Sequence, residues 1–185
     1  MNALEALHSR GSIGKLAEPA PRGEALDNML KAALRASDHQ RLRPWRFLIV
    51  DGAARERLGE IFAEAALAKD AQLPEEKRAE IAAKALRAPL IVVVVARLRE
   101  HPKVPAIEQL LSAGAAAQLL LVAAHAQGFA GIWRTGGVAY DPLVRQRLGL
   151  EPGDEIVGFL YLGTAQAQKK IAEVDPGEFV VHWHG

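Results

Sequence analysis

The 185 residues contain no cysteine, which excludes disulfide staples, thiolate zinc sites and cysteine nucleophiles and permits a reducing compartment. An excess of one charge is also missing. A formal net charge of +1 excludes the global basic footprint of a typical nucleic-acid binder, although it leaves room for a local basic patch. The opening MNALEALHSR carries Glu5 and His8 where a secretory leader needs a basic segment and an apolar one, so secretion is not expected and a cytoplasmic location is. The one long apolar run, Leu110 to Ala126, is short, alanine-rich and interrupted by Ser112, Gln118 and His125, which predicts a buried core helix and no membrane span. The glycine fingerprint of a dinucleotide fold is absent, because Gly128, Gly131 and Gly136 follow a helix. His182 and His184 lack a third ligand, so no metal site is expected. There is no internal repeat and no low-complexity tract.

Half of the chain is hydrophobic, enough for one core, and residues 1–185 read as a single domain. Leu26, Met29, Leu30, Ala33 and Leu34 recur at helical spacing after Glu24, and Leu58, Ile61, Phe62, Ala65 and Ala66 repeat the pattern. A charged linker near 70–77 leads to a weaker helix ending near Arg87. Leu90 to Ala96, with four consecutive valines, predicts a strand buried on both faces. Further strands are expected at 46–50, 129–133 and 156–162. Asp141-Pro142 predicts a helix start, an N-cap followed by proline in the first turn, and Gly149 its stop. This order supports α/β or α+β without deciding between them.

The stretch from Ser112 to Gly136 is the most informative. Leu119, Leu120, Leu121 and Val122 make its helix apolar all round, as in a core or an interface, and Gly128 ends it. Gly131 then falls in a strand, where a missing side chain lets a flat ligand near the backbone or simply relieves a bend. Two donor-rich segments lie far upstream, Arg10-Gly11-Ser12 and the loop from Arg35 to Phe47.

In this order and spacing, together with Leu16 to Pro21, Pro44-Trp45, Lys103-Val104-Pro105, Glu108-Gln109, Ser112-Ala113-Gly114, Gly131-Ile132-Trp133-Arg134 and Val157 to Thr164, the chain resembles the nitroreductase family of flavoproteins, in its short NAD(P)H nitroreductase branch. The resemblance implies an α+β fold with a central mixed or antiparallel sheet flanked by helices, a long buried core helix, and a homodimer that exchanges C-terminal tails. It implies FMN as cofactor, NAD(P)H as co-substrate and a small flat electron acceptor such as a nitroaromatic or a quinone, reduced by a ping-pong mechanism. Arg10, Gly11 and Ser12 would form one subunit's share of the flavin site and Arg35 and His39 the partner's share. Gly131, Ile132 and Trp133 would lie along the isoalloxazine ring, with Lys15 or Arg134 as the cation near its N1 and O2. No separate catalytic residue is expected, since the flavin carries the chemistry. Gly11 stands where the family commonly has a second arginine, and Ser37 where it often has proline. The alternatives are a flavin reductase or reductive dehalogenase on the same fold, or a nucleic-acid-binding module using Arg41, Arg43, Arg46 and Trp45.

Overall fold

A computed structural model describes every residue except Gln168. Five strands form one sheet: β1 (Leu16–Ala17), β2 (Trp45–Asp51), β3 (Leu90–Arg97), β4 (Ala130–Arg134) and β5 (Asp154–Ala165). β3 lies between β2 and β5, and β5 also pairs with β4 and, at its C-terminal end, with β1. All of these pairings are antiparallel, which decides the fold class as α+β.

The valine run forms β3 as expected, and its alternating side chains serve two cores. Leu90, Val92 and Val94 face α2 (Glu24–Ala33) and α5 (Ala106–Ala126), while Ile91, Val93 and Val95 face α3 (Ala54–Lys69) and its neighbours. On this second face lie also α4 (Glu75–Ala83) and α6 (Pro142–Arg147). α1 (Ala3–Ser9) starts with a reciprocal capping box between Asn2 and Glu5 and rests on α5. Asp141 caps α6 through the amides of Leu143 and Val144, with proline next in line.

α5 is the one helix, among the described residues, long and apolar enough to cross a bilayer. Its sides nevertheless differ. Gln109, Ser112, Ala113, Ala116, Ala117, Leu120, Leu121 and Ala124 are buried at the spacing of one helical stripe. Ile107 and Leu111 are more than half exposed, so the run that reads as uniformly apolar buries one side in this chain and presents apolar residues on another.

The tail from Lys169 onward adds no strand to the sheet. Phe179 to Trp183 forms no strand, and Phe179, Val180, Val181 and Trp183 are exposed. A strand needs a neighbour to satisfy its backbone groups, and the single chain offers this segment none.

Candidate functional site

β4 organises the candidate site because it is an edge strand. β5 occupies one side of it, and on the other a single parallel bridge joins Ser12 to Gly131, with the Ile13 amide donating to the Gly131 carbonyl at 3.1 Å. Backbone groups alternate along a strand, so Trp133, two residues on, turns its amide and carbonyl toward the same outer edge. The Arg10–Ser12 segment and β4 are thereby brought together across more than a hundred residues of sequence.

The missing side chain of Gly131 is used by the core. A Cβ there would stand 2.9 Å from Leu162 Cδ2 and from the Tyr161 carbonyl, and 3.0 Å from Leu121 Cδ2. Protein fills the space that a side chain would take there. What Gly131 contributes to the site is the backbone tie to Ile13.

Alternate residues of β4 look to opposite faces. Trp133 lays its indole over Gly158, where a Cβ would come within 2.1 Å of Nε1, and donates to the Val157 carbonyl at 3.2 Å. Val157 is the residue that a bulge in β5 leaves without a partner on β3. Ile132 packs in the second core, and Arg134 places its guanidinium 5.7 Å from the centre of the Tyr161 ring.

Two concavities flank this strand. A small crevice of about 50 Å³ is lined by Arg10, Gly11, His125, Gly131, Lys169 and Ile171. Lys169 Nζ approaches the Ser12 carbonyl at 3.4 Å, and Ile171 covers Gly11, where a Cβ would meet its side chain at 3.2 Å. An isoleucine from the tail thus occupies the room beside the position where the family commonly has a second arginine. His125 Nε2 lies 2.8 Å from Ser9 Oγ. Burial and the nearby Arg10 hold its imidazole below the usual histidine range.

The second concavity is a cleft of about 600 Å³, within the range of small-molecule sites. Its apolar lining includes Phe62, Ile81, Ile132, Trp133, Phe159 and Tyr161, and its cations are Lys69, Lys84, Arg87 and Arg134. Lys69 pairs at 2.5 Å with the buried Asp141. Burial raises the Asp141 pKa, but Lys69 and the two capping amides outweigh it and hold the carboxyl below the usual range. Lys84, Arg87 and Arg134 have no ion-pair partner among the described residues. The Arg134 Nε donor is buried without a hydrogen bond, and burial raises the Tyr161 phenol pKa.

The structure therefore brings Arg10, Gly11, Ser12, Gly131, Ile132, Trp133 and Arg134 around one strand. Lys15 is exposed beside them, its carbonyl accepting from Gln166. Arg35 and His39 are elsewhere. His39 Nδ1 contacts Glu108 in the first turn of α5 at 2.6 Å, whereas the Arg10 segment meets His125 in the last turn. Seventeen residues of helix separate these contacts, roughly 25 Å at 1.5 Å per residue.

Lys169, Lys84 and Arg87 escape sequence reasoning, and Gly158 and Tyr161 enter it only within the Val157 to Thr164 segment. Lys169 lies in the C-terminal tail, which has no apolar periodicity, and Lys84 and Arg87 sit in the weaker helical stretch. Gly158 alone carried a signal, as a glycine inside an otherwise apolar strand.

Comparison with known proteins identifies relatives of the whole chain. The Escherichia coli K12 protein named "Putative NAD(P)H nitroreductase YdjA" is 46% identical over 99% of this chain and 100% of its own length. Among solved structures, a nitroreductase-like family protein from Bacillus cereus superposes with a TM-score of 0.83 at 24% identity, covering 100% of this chain and 97% of that one. A nitroreductase from Bacteroides fragilis, crystallised with bound FMN, gives 0.75 at 21% identity over 99% and 100% of the two chains. The model of the nitroreductase family matches residues 7–164, a span that includes β4, its cleft and the Arg10 segment, and the chain belongs to that family.

Proposed function

We propose that the protein is an FMN-dependent oxidoreductase that takes reducing equivalents from NAD(P)H and delivers them to a flat acceptor such as a nitroaromatic or a quinone. The observation that carries this reading is the division of labour around β4. One side offers cationic donors, Arg10 and Lys169, suited to a phosphate. The other offers an apolar cleft with an unpaired buried donor on Arg134, suited to a planar polar ring. FMN, when bound, supplies the electron chemistry; the chain orients it, hydrogen-bonds it and sets the nearby charge.

In this reading the outward amide of Trp133 would be the donor available to a bound flavin. Arg134, Lys84 and Arg87 would lie where a bound flavin needs positive charge nearby. At about 4 Å and an effective dielectric of about 20, one such unit-charge contact amounts to about 4 kcal/mol before desolvation. Phe159 and Tyr161 wall one side of the cleft, so both flat substrates use the same opening and bind in turn, which predicts parallel initial-rate lines.

The dimer belongs to the same proposal. One chain keeps the Arg10 share and the Arg35–His39 share of the site at opposite ends of α5. Two copies with α5 antiparallel about a two-fold axis bring the C-terminal end of one helix to the N-terminal end of the other. Such a dimer also covers the exposed Ile107, Leu111 and Leu34, and it gives the exposed tail a second chain to pair with.

The test is direct. Purified protein should be yellow, carry about one FMN per chain and bleach with NAD(P)H without oxygen. A colourless protein that binds no added FMN would refute the proposal.

A further inference from the structure

The arginines between α2 and β2 remain to be explained. The loop that carries them is built at a conformational cost. Gln40, Arg41 and Arg43 adopt φ of 61°, 55° and 50°, in the left-handed region that side chains with a Cβ avoid. Asp38 holds them there. Its carboxylate accepts from the Leu42 amide at 3.1 Å and the Arg43 amide at 2.7 Å, and His39 is tied to Glu108.

The resulting shape gathers Arg35, Arg41 and Arg43 along one groove, with Asp38 and Trp45 beside them. Both carboxylate oxygens of Asp38 are already used by backbone amides. None of the three arginines has an ion-pair partner among the described residues, so three guanidiniums face one carboxylate in an exposed groove. This is a site for a compact polyanion, and a phosphate monoester, nearly dianionic at neutral pH, matches it.

A nucleic-acid strand matches it less well. Trp45 is half-buried against the α2–α5 core, so its ring is not an open stacking platform. Arg46 follows Trp45 on a strand and so projects to the opposite face. The convergent charge is local and suits a single phosphate.

On the reading that the protein is a flavin-dependent NAD(P)H oxidoreductase, we propose that Arg41 and Arg43 bind the 2′-phosphate of NADPH and make the protein prefer NADPH to NADH. The two coenzymes differ only there, where NADH carries a hydroxyl. Arg35, at the edge of the same groove, belongs to the partner-derived share of the flavin site, so the groove continues that site outward to where a coenzyme would extend.

The test uses the FMN-loaded protein and the variants Arg41→Asn and Arg43→Asn, because asparagine tolerates the left-handed backbone that alanine would strain. Wild-type kcat/KM should favour NADPH by roughly 10- to 100-fold, the scale of one charge-assisted contact. Each variant should lose most of that preference while its rate with NADH and its flavin content stay unchanged, and Arg41→Lys should keep part of it. In calorimetric titration, adenosine 2′,5′-bisphosphate should bind the wild type more tightly than 5′-AMP and lose that advantage in both variants.

Three results would overturn the proposal. One is equal use of both coenzymes by the wild type. Another is flavin loss in the variants with the coenzyme ratio unchanged, which would assign the groove to the phosphate of FMN. The third is arginine-dependent retardation of DNA or RNA without a coenzyme preference. A failure of the flavin reading itself is seen separately, in the absorbance of the purified protein, and the bisphosphate titration can still be performed on a protein without flavin.

Discussion

At its C-terminal end α5 meets α1 through His125 and Ser9, beside Arg10 and the crevice on β4; at its N-terminal end it meets the loop after α2 through Glu108 and His39, beside Arg35, Arg41 and Arg43. Each end uses a histidine, but in opposite ways. His125 lies on the helix, and the helix dipole would favour its charged form. Burial and Arg10 act against that charge and prevail. His39 lies off the helix, exposed and against a carboxylate. The C-terminal end is a shielded place beside Arg10, and the N-terminal end is an open one where several positive charges are displayed. In the proposed dimer each end supplies part of one site, so the difference between them concerns assembly as well as chemistry.

The largest expected effect would come from forcing the two ends apart. Leu111→Arg places a charge on the exposed apolar side of α5, harmless if that side faces water. If it packs on a second copy, an unpaired buried charge costs on the order of 3–5 kcal/mol, and sedimentation should show monomers that release flavin. Monomers retaining full flavin affinity would show that the two ends of α5 do not share a flavin site.

Next in size is the effect of removing one cation at each end. Arg10→Ala, Lys169→Ala and Arg35→Ala should each weaken FMN binding by about 1.5–3 kcal/mol, or one to two decades. Arg57→Ala, on an exposed part of α3, should not. Refolding Arg10→Ala with Arg35→Ala sharpens the point. Heterodimers of shared sites contain one intact site and one doubly impaired site, so titration should recover wild-type affinity in a fraction of sites. A mixture that binds only weakly would place both arginines in the same chain's site.

Gly131→Val separates packing from ligand contact at the C-terminal end. Overpacking of this kind costs about 1–3 kcal/mol, and the melting temperature should fall by about 2–4 °C for each kcal/mol lost. Gly137, with open space around its Cβ position, serves as the control, and its alanine variant should melt as the wild type does. An unchanged melting temperature for Gly131→Val would show that the close contacts there relax freely.

The smallest effect concerns pH. His125 is depressed in the fold, so its neutral form contributes stability that is fully present above the ordinary histidine pKa of about 6.5 and lost as pH falls through the lowered folded value. Melting at pH 7.5 and 5.5 should show a loss on acidification that His125→Gln reduces. An equal loss in that variant would place the sensitive group elsewhere.

Much of this architecture was legible in local pattern. The valine run reads as a doubly buried strand because each residue must find apolar neighbours whichever way it points, and Asp141-Pro142 reads as a helix start because cap chemistry acts within three residues. The α5 run was legible as apolar, but its exposed Leu111 was not, since periodicity cannot say which neighbours arrive. Around β4, Arg10–Ser12 and Gly131–Arg134 were marked by family resemblance, whereas Lys169 was hidden in a tail without periodicity and Lys84 in a weak helical stretch.

The sequence by itself determined most helices and the longer strands, the lack of thiol chemistry and some of the cationic residues around β4, because these follow from side-chain chemistry and from neighbours within a few positions. Only the tertiary structure decided that Gly131 is filled by Leu121 and Leu162, that Gly158 makes room for the Trp133 indole, and that the Arg10 and Arg35 groups stand at opposite ends of one helix. Those facts depend on strand register and on the length of α5, which bring together or hold apart residues far separated along the chain, and no local pattern encodes them.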